Sequence, residues 1–201
     1  MPGANQELTL FQLSAQVPEG FCYRQNFLSE AEERDLIERI QQLRLTPFKF
    51  HQFTGKRRTM SFGWDYEFGA ANIVKTEDLP QFLLPLRTRA GMLFKIHPAE
   101  LVQATVIEYA PGAPIGWHRD VRQFGVVVGI SLGAPCRLKF RCHARPQQGD
   151  RDAKISMAIG LQPRSIYLLS GPARDNWQHS IPAVKELRYS IVMRTLGTQR
   201  V

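Results

Sequence analysis

LVQATVIEYAPGAPIGWHRDVRQFGVVVGISLGAPCRLKF, residues Leu101–Phe140, is the stretch whose reading decides the fold. Its apolar and β-branched runs, Val102–Tyr109, Gly125–Leu132 and the opening of Arg137–Cys142, are short and are separated by Gly and Pro, which is the texture of strands and turns. The same texture continues through Ile155–Ile159, Ser165–Leu169 and Tyr189–Thr195. Upstream the pattern is helical. Ser29-Glu30-Ala31-Glu32 matches a capping box, and Leu36, Ile37, Ile40 and Leu43 follow at helical spacing, so a helix is predicted over residues 29–44. A second is predicted from about Asp78, with Leu79, Phe82, Leu83, Leu86, Ala90, Leu93 and Phe94 as its apolar stripe, Pro80 in its first turn and Pro85 as a kink. Helices first and many short strands afterwards predict an α+β chain built on a jelly roll or related double-sheet barrel.

The bulk properties agree with a single domain. The chain has 201 residues, 43% hydrophobic and 22% charged, which argues against disorder, coiled coil and collagen-like sequence. A formal charge of +8 suggests a polyanionic partner. No apolar run approaches the length of a membrane span, and Met1–Gln16 lacks the pattern of a secretory signal, so neither membrane insertion nor secretion is expected. Cys22, Cys136 and Cys142 are odd in number and contain no C-x-x-C pair, which points to a reducing, cytoplasmic setting. Cys136, Cys142 and His143 as zinc ligands would lack a fourth donor and the usual close spacing.

Chemistry concentrates in Gly116-Trp117-His118-Arg119-Asp120. His118 and Asp120 are two apart, so on an extended segment both project to one face and can share an ion. One more histidine would complete a two-His-one-carboxylate set of the kind that holds a first-row divalent metal with open positions, and His179, after a strand and turn, is the candidate. A lone H-x-D is otherwise most often a surface pair. Downstream, Arg188 and Arg194 share the parity of Ser190 and Val192. Two arginines facing a barrel interior require anions, and a metal-bound dicarboxylate would satisfy both. The plainer alternative puts both arginines on a solvated face and makes Ile191 and Met193 the core side.

The order H-x-D, distal His, R-x-x-x-x-x-R, together with Glu108-Tyr109-Ala110-Pro111-Gly112-Ala113 and Gly129-Ile130-Ser131-Leu132-Gly133, resembles the Fe(II)/2-oxoglutarate dioxygenases, and specifically the AlkB-type nucleic-acid dealkylases, over Phe21–Leu196. The resemblance implies a double-stranded β-helix (jelly-roll, cupin-like) core with N-terminal flanking helices. It implies iron on His118, Asp120 and His179, with 2-oxoglutarate and O2 as co-reactants. Arg188 would bind the distal carboxylate of 2-oxoglutarate, Arg194 would lie near the proximal one and Asp120, and Tyr109 and Ser190 would belong to the same subsite. Where the family often has Asn two residues before the tyrosine and R-x-N-x-T-x-R, this chain has Ile107, Ser190 and Val192, which implies a reshaped subsite.

The implied organisation is an N-terminal tail over 1–20, helices and a nucleotide-recognition lid over 21–100, the catalytic core over 101–196 and a C-terminal tail over 197–201. Lys56-Arg57-Arg58 runs into Phe62, Trp64, Tyr66 and Phe68, which alternate over Arg58–Phe68 as on one face of a single strand. Arg57 and Arg58 are expected near phosphates and Trp64 or Tyr66 near an extruded base. Phe62 and Phe68 read more simply as the buried face of that strand. The expected reaction is oxidative dealkylation of alkylated DNA or RNA, releasing aldehyde, succinate and CO2, by a monomer. The alternatives are the same chemistry on a protein side chain, or a non-catalytic nucleic-acid-binding module.

Overall fold

The computed structural model describes residues 17–50, 53–143 and 154–197, so the expected tails lie largely outside the described residues. Among the described residues the chain runs β1 (Phe21–Arg24), α1 (Glu30–Gln41), β2 (Thr46–Phe50), β3 (Phe53–Phe62), β4 (Trp64–Glu67), β5 (Asn72–Lys75) and α2 (Leu84–Phe94). It continues through β6 (Gln103–Tyr109), β7 (Ile115–His118), β8 (Phe124–Gly133), β9 (Cys136–His143), β10 (Lys154–Leu161), β11 (Ser165–Leu169), α3 (Gly171–Asp175), β12 (Gln178–Ile181) and β13 (Arg188–Leu196).

Two antiparallel sheets pack face to face as a double-stranded β-helix: a seven-stranded sheet in the order β1-β11-β8-β13-β6-β3-β2 and a four-stranded one in the order β10-β9-β12-β7. Alternation along each strand splits the apolar side chains into two cores. One lies between the large sheet and the helices, where Leu36, Ile40, Leu86 and Ala90 meet Val106, Ile130, Ile191 and Met193. The other lies between the sheets, where Ile107, Val127, Tyr167 and Val192 meet Leu138, Phe140 and Ile181. β13 therefore has both faces covered.

Ser29 caps α1 with the full reciprocal box, its side chain accepting from the Glu32 amide while Glu32 accepts from the Ser29 amide. The second helix starts later than its apolar stripe suggested: a 3-10 turn covers Gln81–Leu83, and Pro85, expected as a kink, stands in the first turn of α2 where its missing N–H costs nothing. Residues 21–100 supply β1, β2 and β3 to the large sheet as well as the helices. Those three strands extend both sides of the sheet.

The alternation over Arg58–Phe68 is not one strand. Gly63 takes φ +75°, and a Cβ there would lie 2.0 Å from the Val102 carbonyl oxygen, so the chain leaves the barrel at this residue. β3 stays in the large sheet, while β4 and β5 form a separate hairpin whose base is closed by Gly63 N–H donating to Glu77 O (2.6 Å) and Thr76 N–H donating to Gly63 O (3.1 Å).

A second glycine makes room inside the barrel. A Cβ on Gly129 would lie 2.1 Å from Cζ of Tyr167, its buried cross-strand partner. Gly129→Ala is expected to destabilise by about 1–3 kcal/mol through overpacking, lowering the melting temperature by about 2–4 °C per kcal/mol in a thermal scan.

Candidate active site

β7 and β12 are neighbours in the small sheet, and His118 and His179 are cross-strand partners at its open end. Their ring centroids are 4.2 Å apart. Asp120, just past β7, brings Oδ2 to 3.4 Å from His179 Nε2, and one ligand atom from each of the three residues lies within 4.8 Å of the others. Among the described residues no other such trio of His, Cys, Asp and Glu forms. Cys136 and Cys142 are free thiols, and the side chain of His143, the third residue of the zinc reading, lies outside the described residues.

The three groups are held in ligand form. His118 Nδ1 donates to the Gly116 carbonyl at 2.8 Å, so Nε2 is the ring nitrogen left to act as a ligand. Burial first, then His118, Arg194 and Arg174, push the His179 imidazole down to about 3 against the pull of Asp120, so it is neutral near pH 7. Burial alone would raise the Asp120 carboxyl, but Arg194, His179, His118 and Arg174 outweigh it and hold the group well below the carboxylate range. Arg194 Nε donates to Asp120 Oδ1 at 2.8 Å, and its Nη1 reaches Gln103 Oε1 at 2.9 Å and Thr105 Oγ1 at 3.3 Å.

Arg188 differs from Arg194. It is among the largest fully buried side chains, at 1% exposure. Its Nη2 donates to Ser131 Oγ at 3.0 Å and its guanidinium lies 4.6 Å from the centre of the Tyr109 ring, while Nε and Nη1 have no partner among the described residues. Both arginines point between the sheets; Arg194 is met by the protein's own Asp120, whereas among the described residues no carboxylate meets Arg188. Ile191 and Met193 are also core, as the plainer alternative had it, because the helices bury the opposite face of β13.

Ser190 faces this interior between Ile107 and Ser131, its cross-strand partners. Ile107 and Val192 present apolar surface to the same interior.

The expected substrate residues separate. Arg57 lies on the inner face of β3 opposite Tyr109, with its Cζ 3.7 Å from the Phe48 ring centre, and burial lowers its affinity for its proton. Arg58 faces the other way and forms a two-pronged pair with Glu108, 2.7 Å for each contact. Adjacent strand residues cannot share a face, so Arg58 does not join Arg57. Tyr66 packs edge-on to Phe68 at 4.9 Å, and Phe68 to Phe48 at 5.9 Å. Phe68 is therefore part of an aromatic cluster on the hairpin, whereas Phe62 is buried under the helices. Trp64 lines a different groove, of about 400 Å³, with Leu79, Leu84, Arg87 and Val102.

Several site residues escaped the sequence reading. Gln103, Thr105 and Ser131 share inward parity with Tyr109 and Arg188, and that parity was the signal available for them. Arg174 of α3 donates to the carbonyls of Gly125, Val121 and Phe124 and so braces the chain leading from Asp120 into β8. Arg119 ties the same loop to the Asn176 carbonyl at 2.9 Å.

The family model described as the 2OG-Fe(II) oxygenase superfamily matches residues 20–201. The chain is 28% identical over 176 residues to the alkylated DNA repair protein ALKBH8 homolog of Arabidopsis thaliana, covering 78% of this chain and 49% of that protein. It is 26% identical over 176 residues to the probable RNA/DNA demethylase ALKBH6 of Danio rerio, covering 85% and 73%. Against the tRNA (carboxymethyluridine(34)-5-O)-methyltransferase alkbh8 of Xenopus tropicalis it is 26% identical over 177 residues, 84% of this chain and 26% of that one. The chain thus spans about half or less of those two ALKBH8 relatives. Among solved structures, OsALKBH1 superposes with a TM-score of 0.63 at 15% identity, covering 88% of this chain and 98% of that one. A Pseudomonas putida prolyl-4-hydroxylase superposes at 0.61 and 11% identity, covering 92% and 96%. Among the described residues no helix is long and apolar enough to cross a membrane.

Proposed function

Because the chain belongs to the 2OG-Fe(II) oxygenase superfamily, and is therefore a dioxygenase using Fe(II), 2-oxoglutarate and O2, we propose that it oxidatively dealkylates N-alkylated bases of DNA or RNA. The chain's own residues fit those groups: a converging His-Asp-His set of which His179 is buried, and beside the same barrel interior a buried guanidinium with no anion among the described residues. When bound, iron and 2-oxoglutarate supply O2 activation coupled to decarboxylation of the cosubstrate to succinate and CO2, and the oxidised N-alkyl carbon leaves as an aldehyde.

His118 and His179 would hold iron through Nε2 and Asp120 through a carboxylate oxygen. Arg194 orients Asp120. Arg188, with Ser131, Ser190 and Tyr109, would bind the distal carboxylate; a guanidinium fork would give that contact direction as well as charge.

The observation that carries the nucleic-acid reading is the cluster over β3 and the hairpin. Arg57 lies against Phe48, and Phe48 leads through Phe68 to Tyr66, so a half-buried cation with no carboxylate partner among the described residues adjoins stacking surface next to Tyr109. That pairing suits a phosphate and an unstacked base. The relatives named for nucleic-acid repair or demethylation support the same reading.

Succinate release over a panel of methylated DNA, RNA and peptides is the test: release with oligonucleotides is expected, and release with peptides alone would transfer the chemistry to a protein side chain. Tyr66→Ala should cut turnover on a base substrate by roughly 5–150-fold, the value of about 1–3 kcal/mol for a base–aromatic stack, with a much smaller change in general affinity. Arg57→Gln should instead weaken binding to all sequences and lower the salt slope by about 0.7–0.9.

A further inference from the structure

β9 runs through the middle of the small sheet, between β10 and β12. Cys136, Leu138 and Phe140 point into the barrel, so Arg137, Lys139 and Arg141 point outwards. Their cross-strand neighbours are small or uncharged: Gly160, Ala158 and Ser156 on β10, Ser180 and Gln178 on β12. Among the described residues no carboxylate pairs with any of the three cations. A strand rise of about 3.3 Å per residue sets them in a straight row about 13 Å long. Basic side chains often protect sheet edges from unwanted pairing, but β9 is an inner strand, so that explanation fails here.

One end of the row adjoins the active site. Arg141 lies 4.4 Å from the centre of the Trp117 ring and donates from Nε to Gln178 Oε1 at 2.7 Å. Trp117 precedes His118 and Gln178 precedes His179, so this end sits on the outer surface of the two strands whose inward neighbours are the site's imidazoles. Trp117 is 36% exposed, which is rare here for a large ring.

We propose that this outer face is a phosphate track for a single nucleic-acid strand, with Arg137, Lys139 and Arg141 on successive phosphates and Trp117 beside a base next to the target. It rests on the nucleic-acid reading above. Cations alone would suit any polyanion; the aromatic ring at the end nearest the active site is what favours nucleic acid over an acidic protein.

The test is fluorescence anisotropy of an unmodified single-stranded oligonucleotide against KCl concentration, comparing the parent with Arg137→Gln/Lys139→Gln/Arg141→Gln. Loss of three phosphate contacts lowers the slope of log affinity against log salt by about 2, at about 0.7 per contact on a single strand. Affinity near 100 mM salt should fall at least tenfold. The melting temperature should remain that of the parent. Arg137→Gln/Lys139→Gln, which leaves the Arg141–Gln178 brace in place, should lower the slope by about 1.4 and serves if the triple variant is unstable.

A parental slope and affinity in both variants would overturn the track, as would a parent that binds no oligonucleotide. Competition by polyglutamate as effective as by the oligonucleotide would also overturn it, in favour of an acidic protein. Succinate release is read separately. A parent active on methylated oligonucleotides, with unchanged slopes in the variants, loses the track and keeps the dealkylase reading; a parent active only on peptides loses that reading, and the anisotropy alone then judges the track.

Discussion

Arg188→Met should melt at a higher temperature than the parent in the absence of ligand, and should no longer respond to 2-oxoglutarate. In the parent, a guanidinium buried to 1% exposure makes one hydrogen bond through Nη2, while Nε and Nη1 have no partner among the described residues. A buried charge so poorly compensated is a liability, and replacing such groups by apolar ones of similar volume often gains about 1–4 kcal/mol. At about 2–4 °C per kcal/mol for a chain of this size, the gain is visible in a thermal scan. The same change removes a charge-assisted pair worth about 2–5 kcal/mol to a bound carboxylate, so the 2-oxoglutarate concentration for half-maximal turnover should rise by roughly 30-fold to several thousand-fold. Metal affinity should change little, because Arg188 is not among the three converging ligand groups. A variant that melts below the parent without ligand, or keeps the parental cosubstrate requirement, would remove Arg188 from the subsite.

Asp120→Ala acts on the other half of the site. The carboxylate faces His179 Nε2 through Oδ2 and accepts from Arg194 through Oδ1. Without it the site keeps two imidazoles but loses its anionic donor, and Arg194 is left beside the metal position with its charge unmet. Changing a group that only supports a ligand commonly costs 10–100-fold in metal affinity, so loss of a ligand itself should exceed about 100-fold. Turnover should fall by about 10³ or more. Titration with Fe(II), or with Co(II) followed by its absorbance, separates this from the Arg188 variant, which should bind metal normally. Parental metal affinity in Asp120→Ala would sink the ligand assignment.

Parity carried most of what could be read in the sequence. It set His118 with Asp120 and Arg188 with Arg194, and on β13 it sorts Tyr189, Ile191 and Met193 to the core under the helices and Val192 to the core between the sheets. The capping box placed the start of α1 just as locally. Parity failed where a glycine intervened: alternation runs unbroken through Gly63, so nothing in the polar–apolar pattern marks the change of sheet, and only the glycine in an aromatic run hints at it. Applied to Arg57 and Arg58, parity already forbids a shared face, and the basic triplet concealed that. The brace from Arg174 had no local signal, since α3 is five residues long and its partners lie about 50 positions away. Trp64 and Tyr66 have the same parity, yet the groove under α2 takes one and the aromatic cluster takes the other.

The two hydrogen bonds that join Gly63 to Thr76 and Glu77 bear on how such a chain can diversify. The excursion from Trp64 to Lys75 departs from the barrel and returns at one point, so its ends are fixed whatever lies between. Lengthening a loop whose ends are already closed costs only about 0.6 kcal/mol per doubling. Insertions, deletions or wholesale replacement of this cassette would leave the strands bearing His118, His179 and Arg188 in register. Lineages descended from such a chain can thus vary this excursion while inheriting the same strands around the metal-site residues, and length variation among them should concentrate between these two joints.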